Sequence, residues 1–553
     1  MPNSLSTDNA DSPIASNRLV MWWADVFLLW AVLAALAWSF PPDVNEAHYL
    51  CKAKNFWDPN YCRGDLFAES VNAHWFFIFS FGWLTTIFSL ETTAWIGRLA
   101  CWLLLAGGWC SLAKSIGLRR WQSVGALSLF VVLNRNFHLA GEWVVGGVEA
   151  KTLAYGFVFF SLGALARSNR FGMWTHLGLA TLLHPLIGIW SSLSIGLVII
   201  AMSPRHSIPT FRLRSTIQDQ RPARYWLNWL DFLGCLILSI IAIFPLMIMN
   251  NGDASSDLTE AYALQVFNRL PHHLYALSFQ PIRFVGFGLL LVLFFLVAWD
   301  VARQPKLHLL LWYAIGALSI SCAGLCLSFA AQNGTELATN LLRFYWFRLS
   351  DVALPLFVAI SFGTFLENRF RASKSLVSAI LVIIALFAIG QHAYKQWADP
   401  RPGADRQSLP SYPDSPERTI ATQRNWKKMC LWIDRNLEQD AIFITPRRQQ
   451  TFKWYAARAE VVGWKEAPQD AKSLLEWSNR MNELGEFNEN SLGVFELLDE
   501  DIRRIGEKYG AKYLVAHQRS FDLCNQGEQP TNLSLIYPEH PGVRSTYVVL
   551  ALD

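Results

Sequence analysis

Stretches of apolar residues long enough to cross a membrane recur through the first 391 residues, with short polar segments between them. A helix needs roughly 17–25 apolar residues to cross the hydrocarbon core of a bilayer. The pattern therefore predicts a mainly α fold, with a polytopic transmembrane bundle of about 11 to 12 helices in residues 21–391. The predicted helices cover residues 22–40, 74–90, 94–113, 121–133, 153–166, 171–202, 229–249, 284–299, 307–331, 346–366 and 375–391.

Clusters of Lys and Arg between the apolar stretches predict how the protein is oriented in the membrane, because loops rich in Lys and Arg stay on the cytoplasmic side. We expect a cytoplasmic tail at 1–20 in an inner (cytoplasmic) membrane protein. The extracytoplasmic face receives residues 41–93, 134–151, 250–281, 332–342 and everything after 391. The basic clusters are Lys114/Arg119/Arg120, Arg167/Arg170, Arg205/Arg212/Arg214/Arg221/Arg224, Arg303/Lys306 and Arg369/Arg371/Lys374.

This topology requires two conditions. Residues 171–202, which have basic residues at both ends, must form two short helices that turn at the His184-Pro185 step near the outer face. Residues 74–90 must form a juxtamembrane or re-entrant helix, or else pair with a further crossing, because one extra crossing would invert every later loop.

The composition changes after the last apolar stretch. Residues 392–420 are rich in Pro, Asp and Arg, which predicts a linker. Residues 421–553 predict a small soluble α/β domain, with a helix at 426–437 and strands at 441–445, 459–462, 512–516 and 546–550. The domain contains neither glycine-rich phosphate-binding motif, GxGxxG or GxxxxGK[ST], so nucleotide binding is not expected there.

The composition is typical of a membrane protein and excludes several other classes of protein. Hydrophobic residues make up 52% of the chain and charged residues 16%, with a mean hydropathy of +0.23, which excludes a cytosolic enzyme and a coiled coil. The net charge is only +4, so the chain has no nucleic-acid footprint. Two disulfides, Cys51–Cys62 and Cys430–Cys524, are candidates if these segments face an oxidising compartment.

The sequence PPDVNEAHYL, directly after the first predicted span, contains the first candidate site. Asp43, Glu46 and Tyr49 recur at three-residue spacing and would share one side of a helix. Two carboxylates placed in this way could bind a divalent cation or supply a general base. The structural alternative is a capping box with Asp43 as N-cap and Glu46 at the third helical position. Both interpretations can hold for the same residues.

A second candidate site opens the span near residue 152. The sequence GEWVVGGVEAK places Glu142, Glu149 and Lys151 at its outer mouth, next to a glycine pair that permits close backbone approach. Acids near the membrane core are costly and usually face a protein interior or a water-filled cavity, which makes Glu149 a functional candidate. The alternative is an interfacial Glu149–Lys151 pair that only marks a helix end.

Two further positions could bind an anion at the outer face. His184 lies at the predicted turn, where a single His in an apolar block is more often a packing residue. In LLRFYWFRLSDVALP, Arg343 and Arg348 present guanidinium groups suited to phosphate. The alternative for Arg348 is an ion pair with Asp351 at helical spacing.

Taken in order, these motifs resemble the GT-C superfamily of membrane glycosyltransferases, which includes protein O-mannosyltransferases and the aminoarabinose transferase of lipid A. The family's acidic motif, D/E…E…Y, resembles Asp43, Glu46 and Tyr49. The family's second acid resembles Glu149. In the family a Lys-Pro-Pro or His-Pro-Pro step opens the next helix; here only His74 matches, because the prolines are missing.

Other parts of the chain extend the resemblance. TAWIGRL at 93–99 resembles the family's short loop leading to an Arg-Leu span, His184-Pro185 its turn between two short helices, and residues 343–355 its late Arg-Tyr…Pro span. WKKMCLWIDRNLEQDAIFITP at 426–446 resembles the start of an outer-face domain in uncharacterised bacterial members. The WWDYG signature of oligosaccharyltransferases does not occur.

The resemblance implies hexosyl or pentosyl transfer from a polyprenyl-phosphate donor to an unknown acceptor at the extracytoplasmic face of the bilayer. It implies Asp43 or Glu46 as base and Glu149 as a supporting acid, with a divalent metal cation among the possible cofactors, held by these three. Tyr49, His74, Glu142, Lys151, His184, Arg343 and Arg348 are the implied substrate-binding residues. The alternatives are a transporter, or a non-catalytic anchor that displays the α/β domain and needs no convergence of acids.

Overall fold

The computed structural model describes residues 13–202, 229–248, 255–301, 304–485, 499–526, 531–539 and 545–552. The basic residues predicted at 205–224 and at 303 lie outside the described residues, as does the side chain of Cys524. Cys51, Cys62 and Cys430 are buried free thiols, so the candidate Cys51–Cys62 disulfide is absent from the structure.

The membrane part is a bundle of long apolar helices, as predicted. Among the described residues, seven helices are long and apolar enough to cross a membrane, and two shorter apolar helices accompany them. The long helices in the first half of the chain are α1 (Pro13–Ala37), α6 (Leu90–Ile116), α7 (Arg120–Asn136), α8 (Ala150–Ala166), α9 (Arg170–Leu183), α10 (Pro185–Ala201) and α11 (Trp229–Ile248). The later ones are α14 (Pro281–Val301), α15 (Pro305–Gln332), α17 (Ser350–Phe370) and α18 (Lys374–Ala398).

The structure has the helix break at His184 and the short helices at 74–90 that the predicted topology requires. The chain breaks at His184, where α9 ends at Leu183 and α10 begins with Pro185 at its first position, because proline is favoured at the start of a helix and not within it. Residues 74–90 form only two short helices, α4 (Trp75–Phe81) and α5 (Leu84–Ile87), too short to cross a bilayer.

Short helices occupy the predicted outer segments. Before α6 the chain forms α2 (Glu46–Trp57) and α3 (Leu66–Glu69). Between α11 and α14 lie α12 (Ser255–Ala263), a π-helical turn (Leu264–Arg269), α13 (Pro271–Leu274) and a 3-10 turn (Ala276–Ser278). The segment before α17 contains α16 (Glu336–Leu342). Helix α12 lies against the C-terminal domain, since its Ala261 packs into that domain's core.

The C-terminal domain is the predicted small α/β unit. Its five-stranded sheet has the order β2-β1-β3-β5-β4, in which β1 pairs in parallel with β2 and β3, and β5 pairs antiparallel with β3 and β4. The strands are β1 (Ile442–Ile444), β2 (Ala459–Glu460), β3 (Ala511–His517), β4 (Ser534–Tyr537) and β5 (Tyr547–Ala551). Sequence patterning missed β4. The helices after α18 are α19 (Gly403–Ser408), α20 (Pro416–Asn436), α21 (Phe452–Ala456), α22 (Ala471–Glu483), α23 (Asp499–Tyr509) and α24 (Gln518–Gln526).

The predicted linker, residues 392–420, is an ordered connection. It contains the end of α18, all of α19 and the start of α20. The backbone N–H of Ala404 donates to the carbonyl of Pro42 at 3.1 Å, and the buried carboxylate of Asp405 accepts hydrogen bonds from Thr451 and Tyr455. The segment therefore ties the α/β domain to the loop that follows α1, although its composition is typical of a linker.

Candidate functional site

The first acidic motif folds against the start of α2, where Glu46 is completely buried. Its two carboxylate oxygens accept hydrogen bonds from Arg98 Nε and Nη2, both at 2.6 Å, and Arg98 is also 0% exposed. Glu46 additionally accepts from the backbone N–H of Asp43 at 2.7 Å and of Val148 at 2.8 Å. The reciprocal half of a capping box is therefore present, although Asn45 is the N-cap, and the carboxylate is fully engaged.

Asp43 lies beside Glu46 but keeps part of its surface exposed. Its Oδ1 accepts from the N–H of Val44 at 2.8 Å, and its Oδ2 from the N–H of Gly147 at 3.0 Å. A Cβ on Gly147 would lie 2.7 Å from the carboxylate carbon of Glu46, so only glycine lets this loop approach both acids. Asp43 has no ion-pair partner within the described ranges, in contrast to Glu46.

The second acidic motif meets the first across this loop. Glu149 is buried, and its Oε2 accepts from Asn45 Nδ2 at 3.0 Å and lies 3.3 Å from Lys151 Nζ. The Lys151 ammonium is 3.9 Å from Glu142 Oε2 and lies over the ring of Trp143. Burial raises the pKa of Glu149, while Lys151 and Asn45 oppose that shift. The Glu149–Lys151 pair thus belongs to a larger network.

Arg348 joins that network to the turn between α9 and α10. Its Nε lies 3.1 Å from Glu142 Oε2, and its Nη1 lies 3.0 Å from His184 Nε2. Because arginine can only donate, Nε2 of His184 accepts and Nδ1 carries the proton. Neither His184 Nδ1 nor Glu142 Oε1 has a hydrogen-bond partner within the described residues. We call Arg348, Glu142, His184, Lys151 and Glu149 the Arg348 cluster.

Asp351 holds the loop before α8 and does not pair with Arg348. Its carboxylate accepts from the backbone N–H groups of Leu139 at 2.6 Å, Ala140 at 2.9 Å and Glu142 at 3.2 Å. Asn134 donates to the carbonyls of Glu142 and Asp351, both at 2.9 Å. The alternative of an Arg348–Asp351 pair at helical spacing is therefore wrong, because each side chain has a partner on this loop instead.

Aromatic and imidazole rings line the other side of the cluster. The His74 ring lies 4.9 Å from that of His184 and 5.5 Å from that of Tyr49. Burial and the charge of Arg348 lower the pKa of His74 to about 4, so it is neutral at physiological pH. Burial and the charge of Glu149 raise the pKa of Tyr49. Both side chains can therefore offer neutral hydrogen-bonding groups.

Arg343 does not contact the candidates described so far. Its guanidinium packs over the rings of Tyr262, at 3.9 Å, and Phe344, at 4.7 Å. Its Nε has no hydrogen-bond partner within the described part of the chain. The structure thus brings nine of the ten predicted site residues into one connected region and leaves Arg343 at its edge.

The three acids that were considered for a cation do not fit a shared metal site. Arg98 occupies both oxygens of Glu46. Within the described residues, the carboxylates with metal-ligand spacing are instead Asp65, Glu460 and Glu466.

Those three carboxylates surround an ammonium group in the interface between the outer segment and the α/β domain. Lys453 Nζ lies 2.8 Å from Asp65 Oδ2 and 2.7 Å from Glu460 Oε1, and it also contacts Glu466 Oε2. Burial lowers the pKa of Lys453, but the three carboxylates outweigh it and raise the pKa well above its usual value. We call these four residues the Lys453 cluster, which the sequence patterns did not predict.

Sequence reasoning also missed the partner of Glu46. Arg98 is the one charged residue in the apolar stretch 92–113, and the cost of burying an unpaired charge near a membrane was the available signal. A second missed cation, Arg135, donates to the carbonyls of Leu36 at 2.7 Å and Val145 at 2.9 Å. Arg135 therefore helps to fix the glycine loop beside Asp43.

One family model matches a short segment of the C-terminal domain. Residues 424–484 match a family model described as a domain of unknown function, DUF6798. No curated protein matches the sequence.

Several solved structures are similar to the chain. One is ArnT from Cupriavidus metallidurans bound to undecaprenyl phosphate, with a TM-score of 0.49, 14% identity and coverage of 98% of both chains. Another is an Archaeoglobus fulgidus oligosaccharyltransferase tethered with an acceptor peptide, with a TM-score of 0.47, 12% identity, and coverage of 94% of this chain and 73% of that one. Likeness at this level leaves the function to be argued from the site.

Proposed function

We propose that the protein transfers a hexosyl or pentosyl group from a polyprenyl-phosphate donor to an acceptor hydroxyl at the extracytoplasmic face of the membrane. The observation that carries the proposal is the convergence of Asp43 and Glu149 on one glycine loop, beside the guanidinium of Arg348. Acids gathered with cations at the end of a membrane bundle suit transfer from a phosphate leaving group.

Asp43 is the proposed general base. Its carboxylate is partly exposed and lacks an ion-pair partner among the described residues, so its remaining lone pairs can accept a proton. Glu46 is a poor base because Arg98 holds both of its oxygens. In the reaction, Asp43 takes the acceptor proton, the acceptor oxygen bonds to the anomeric carbon, and the bond from that carbon to the phosphate oxygen breaks.

The Arg348 cluster is the proposed site for the leaving group and the sugar. Arg348 carries a fixed positive charge that can stabilise the phosphate as its charge develops. The Nδ1–H of His184 and the Oε1 of Glu142 are a buried donor and a buried acceptor without partners in the described residues. Since unpaired buried polar groups are costly, a polar substrate that pairs with them would be bound selectively.

The same convergence counts against the anchor hypothesis. A membrane anchor would not need Asp43, Glu46 and Glu149 to meet. All three nevertheless accept hydrogen bonds within this region, from residues 147, 148 and 45 respectively. The glycine at 147 has a direct role here, because any side chain would collide with Glu46.

The test is release of polyprenyl phosphate from lipid-linked sugars by the purified protein. Asp43→Asn should lower the rate by about 10²–10⁴-fold, the range for loss of a general base. Asp414→Asn, at an exposed position in the segment before α20, is the control and should retain the parent rate. Near-normal turnover by Asp43→Asn would show that Asp43 is not the general base.

A further inference from the structure

The carboxylate of Asp43 lies between two backbone segments from distant parts of the chain. On one side its Oδ2 accepts the N–H of Gly147 at 3.0 Å. On the other side Gly403 of α19 approaches so closely that a Cβ at this position would collide with Asp43 Oδ1. Only glycine therefore fits at 403 while the carboxylate keeps this position. Asp43 is thus in contact with the segment that leads from the membrane bundle to the α/β domain.

The position of Asp43 depends on these contacts because no cation holds its carboxylate among the described residues. The hydrogen bond to its Oδ1 comes from the N–H of Val44, the next residue, at 2.8 Å. A donor on the adjacent residue does not tie the side chain to another element of the fold. The carboxylate is therefore kept in place by the glycine loop on one side and by Gly403 on the other.

The segment around Gly403 is fixed to both parts of the molecule. The N–H of Ala404 donates to the carbonyl of Pro42, directly before Asp43, at 3.1 Å. The next side chain, Asp405, is completely buried. Its carboxylate accepts hydrogen bonds from three side chains of the α/β domain, Thr451 Oγ1 at 2.7 Å, Tyr455 Oη at 2.9 Å and Gln423 Nε2 at 3.0 Å.

The other end of α19 is also anchored in the α/β domain. Leu409, directly after the helix, is buried in the domain core together with Trp426 and Phe452. Since Asp405 and Leu409 both bind α19 to the domain, the place of Gly403 beside Asp43 is determined by where the domain sits. A continuous series of contacts therefore links the α/β domain to the carboxylate.

We propose that the α/β domain positions the general base, with Asp405 holding Gly403 against Asp43. Gly403 and Asp405 are then positioning residues. This role rests on the proposed function, in which Asp43 takes the acceptor proton. A base must come within about 2.6–3.2 Å of the atom that gives up the proton, and a displacement of about 1 Å can cost about a hundredfold in rate. A carboxylate that turned away from the glycine loop would be a much poorer base.

The experiment measures release of polyprenyl phosphate by the purified, full-length Gly403→Ala protein, from a lipid-linked sugar that the parent protein turns over. The added methyl group displaces the Asp43 carboxylate, so kcat should fall about a hundredfold. KM for the donor should change little, because its phosphate is placed at the Arg348 cluster. Gly390→Ala in α18, where a Cβ meets nothing within 4 Å, is the matched control and should keep the parent kcat.

Asp405→Asn tests the link to the α/β domain without changing the contact at Gly403 directly. The amide presents a donor where the carboxylate accepts, so at least one of the three hydrogen bonds is lost. We expect kcat to fall by a smaller factor than in Gly403→Ala, because the bond from Ala404 to Pro42 remains. A parental kcat in Asp405→Asn would contradict the role of the domain. Thermal unfolding of each variant checks that it folds.

A double variant separates positioning from a merely structural role. In the Asp43→Ala protein the carboxylate is absent, so Gly403→Ala should have little further effect on the residual transfer rate or on the melting temperature. The same fold loss in both backgrounds, or a parental kcat in Gly403→Ala, would overturn the proposal. A parent protein that transfers no sugar would contradict the proposed function instead, and the melting temperatures would still test the contact between Gly403 and Asp43.

Discussion

The Lys453 cluster and the Arg348 cluster are both buried groups of charges at the outer end of the molecule, but they differ in how completely they are paired. In the Lys453 cluster one ammonium contacts all three carboxylates, and Thr445 and Gln449 also donate to Glu460. In the Arg348 cluster, Glu142 Oε1 and His184 Nδ1 have neither a hydrogen-bond partner nor an opposite charge in contact among the described residues. Glu466 Oε2 of the Lys453 cluster also lacks a hydrogen bond, but it contacts the Lys453 ammonium.

The difference separates a structural role from a functional one. The Lys453 cluster joins Asp65 of the outer segment to the loops around β2, and Tyr61 strengthens the same junction by donating to the Lys453 carbonyl at 2.5 Å. The charges and polar atoms of the Arg348 cluster are not paired as completely. Buried charge alone therefore does not mark a candidate active site; buried charge with unused hydrogen-bonding capacity is the better indicator.

The largest effect on stability should follow removal of the central ammonium. Lys453→Met leaves three buried carboxylates without their cation and should destabilise the protein by about 3–5 kcal/mol, the cost of breaking a buried ion pair on one side. Asp65→Asn should cost less, because two carboxylates still balance the ammonium. Thermal unfolding of the solubilised protein measures both, with Lys472→Met as control. Equal stability of Lys453→Met and the control would mean that the cluster does not hold the domains together.

Glu46→Gln should separate Glu46 from the catalytic acids. The variant leaves Arg98 buried opposite a neutral amide, so we expect a loss of about 3 kcal/mol in stability together with lower activity. Glu149→Gln should reduce sugar transfer by about tenfold to a hundredfold at nearly parental stability, because Lys151 keeps a second carboxylate, Glu142, nearby. Unfolding and product release should be measured on the same preparations. If the Glu46→Gln protein is stable but inactive, Glu46 has a catalytic role and not only a structural one.

Much of the architecture was predictable because its signals are local. The apolar lengths predicted the bundle, and the His184-Pro185 step predicted the break between α9 and α10. The helices at 74–90 are too short to cross a bilayer, which agrees with the predicted juxtamembrane segment. The acids Asp43 and Glu149 were also recognisable, since carboxylates beside apolar spans are costly without a purpose. Strand β4 was missed because it is short and flanks a register shift.

The pairing of these groups depended on the tertiary structure. Sequence spacing alone left an Arg348–Asp351 pair open, but backbone N–H groups of the loop before α8 donate to Asp351, and Glu142 of the same loop pairs with Arg348. Likewise, Arg98 donates to Glu46 although the two residues are 52 positions apart in the sequence. Helical periodicity determines which side chains share a face, but it carries no information about which distant face packs against them. The sequence by itself therefore determined the spans and the candidate acids, and only packing decided which acid is neutralised and which remains available.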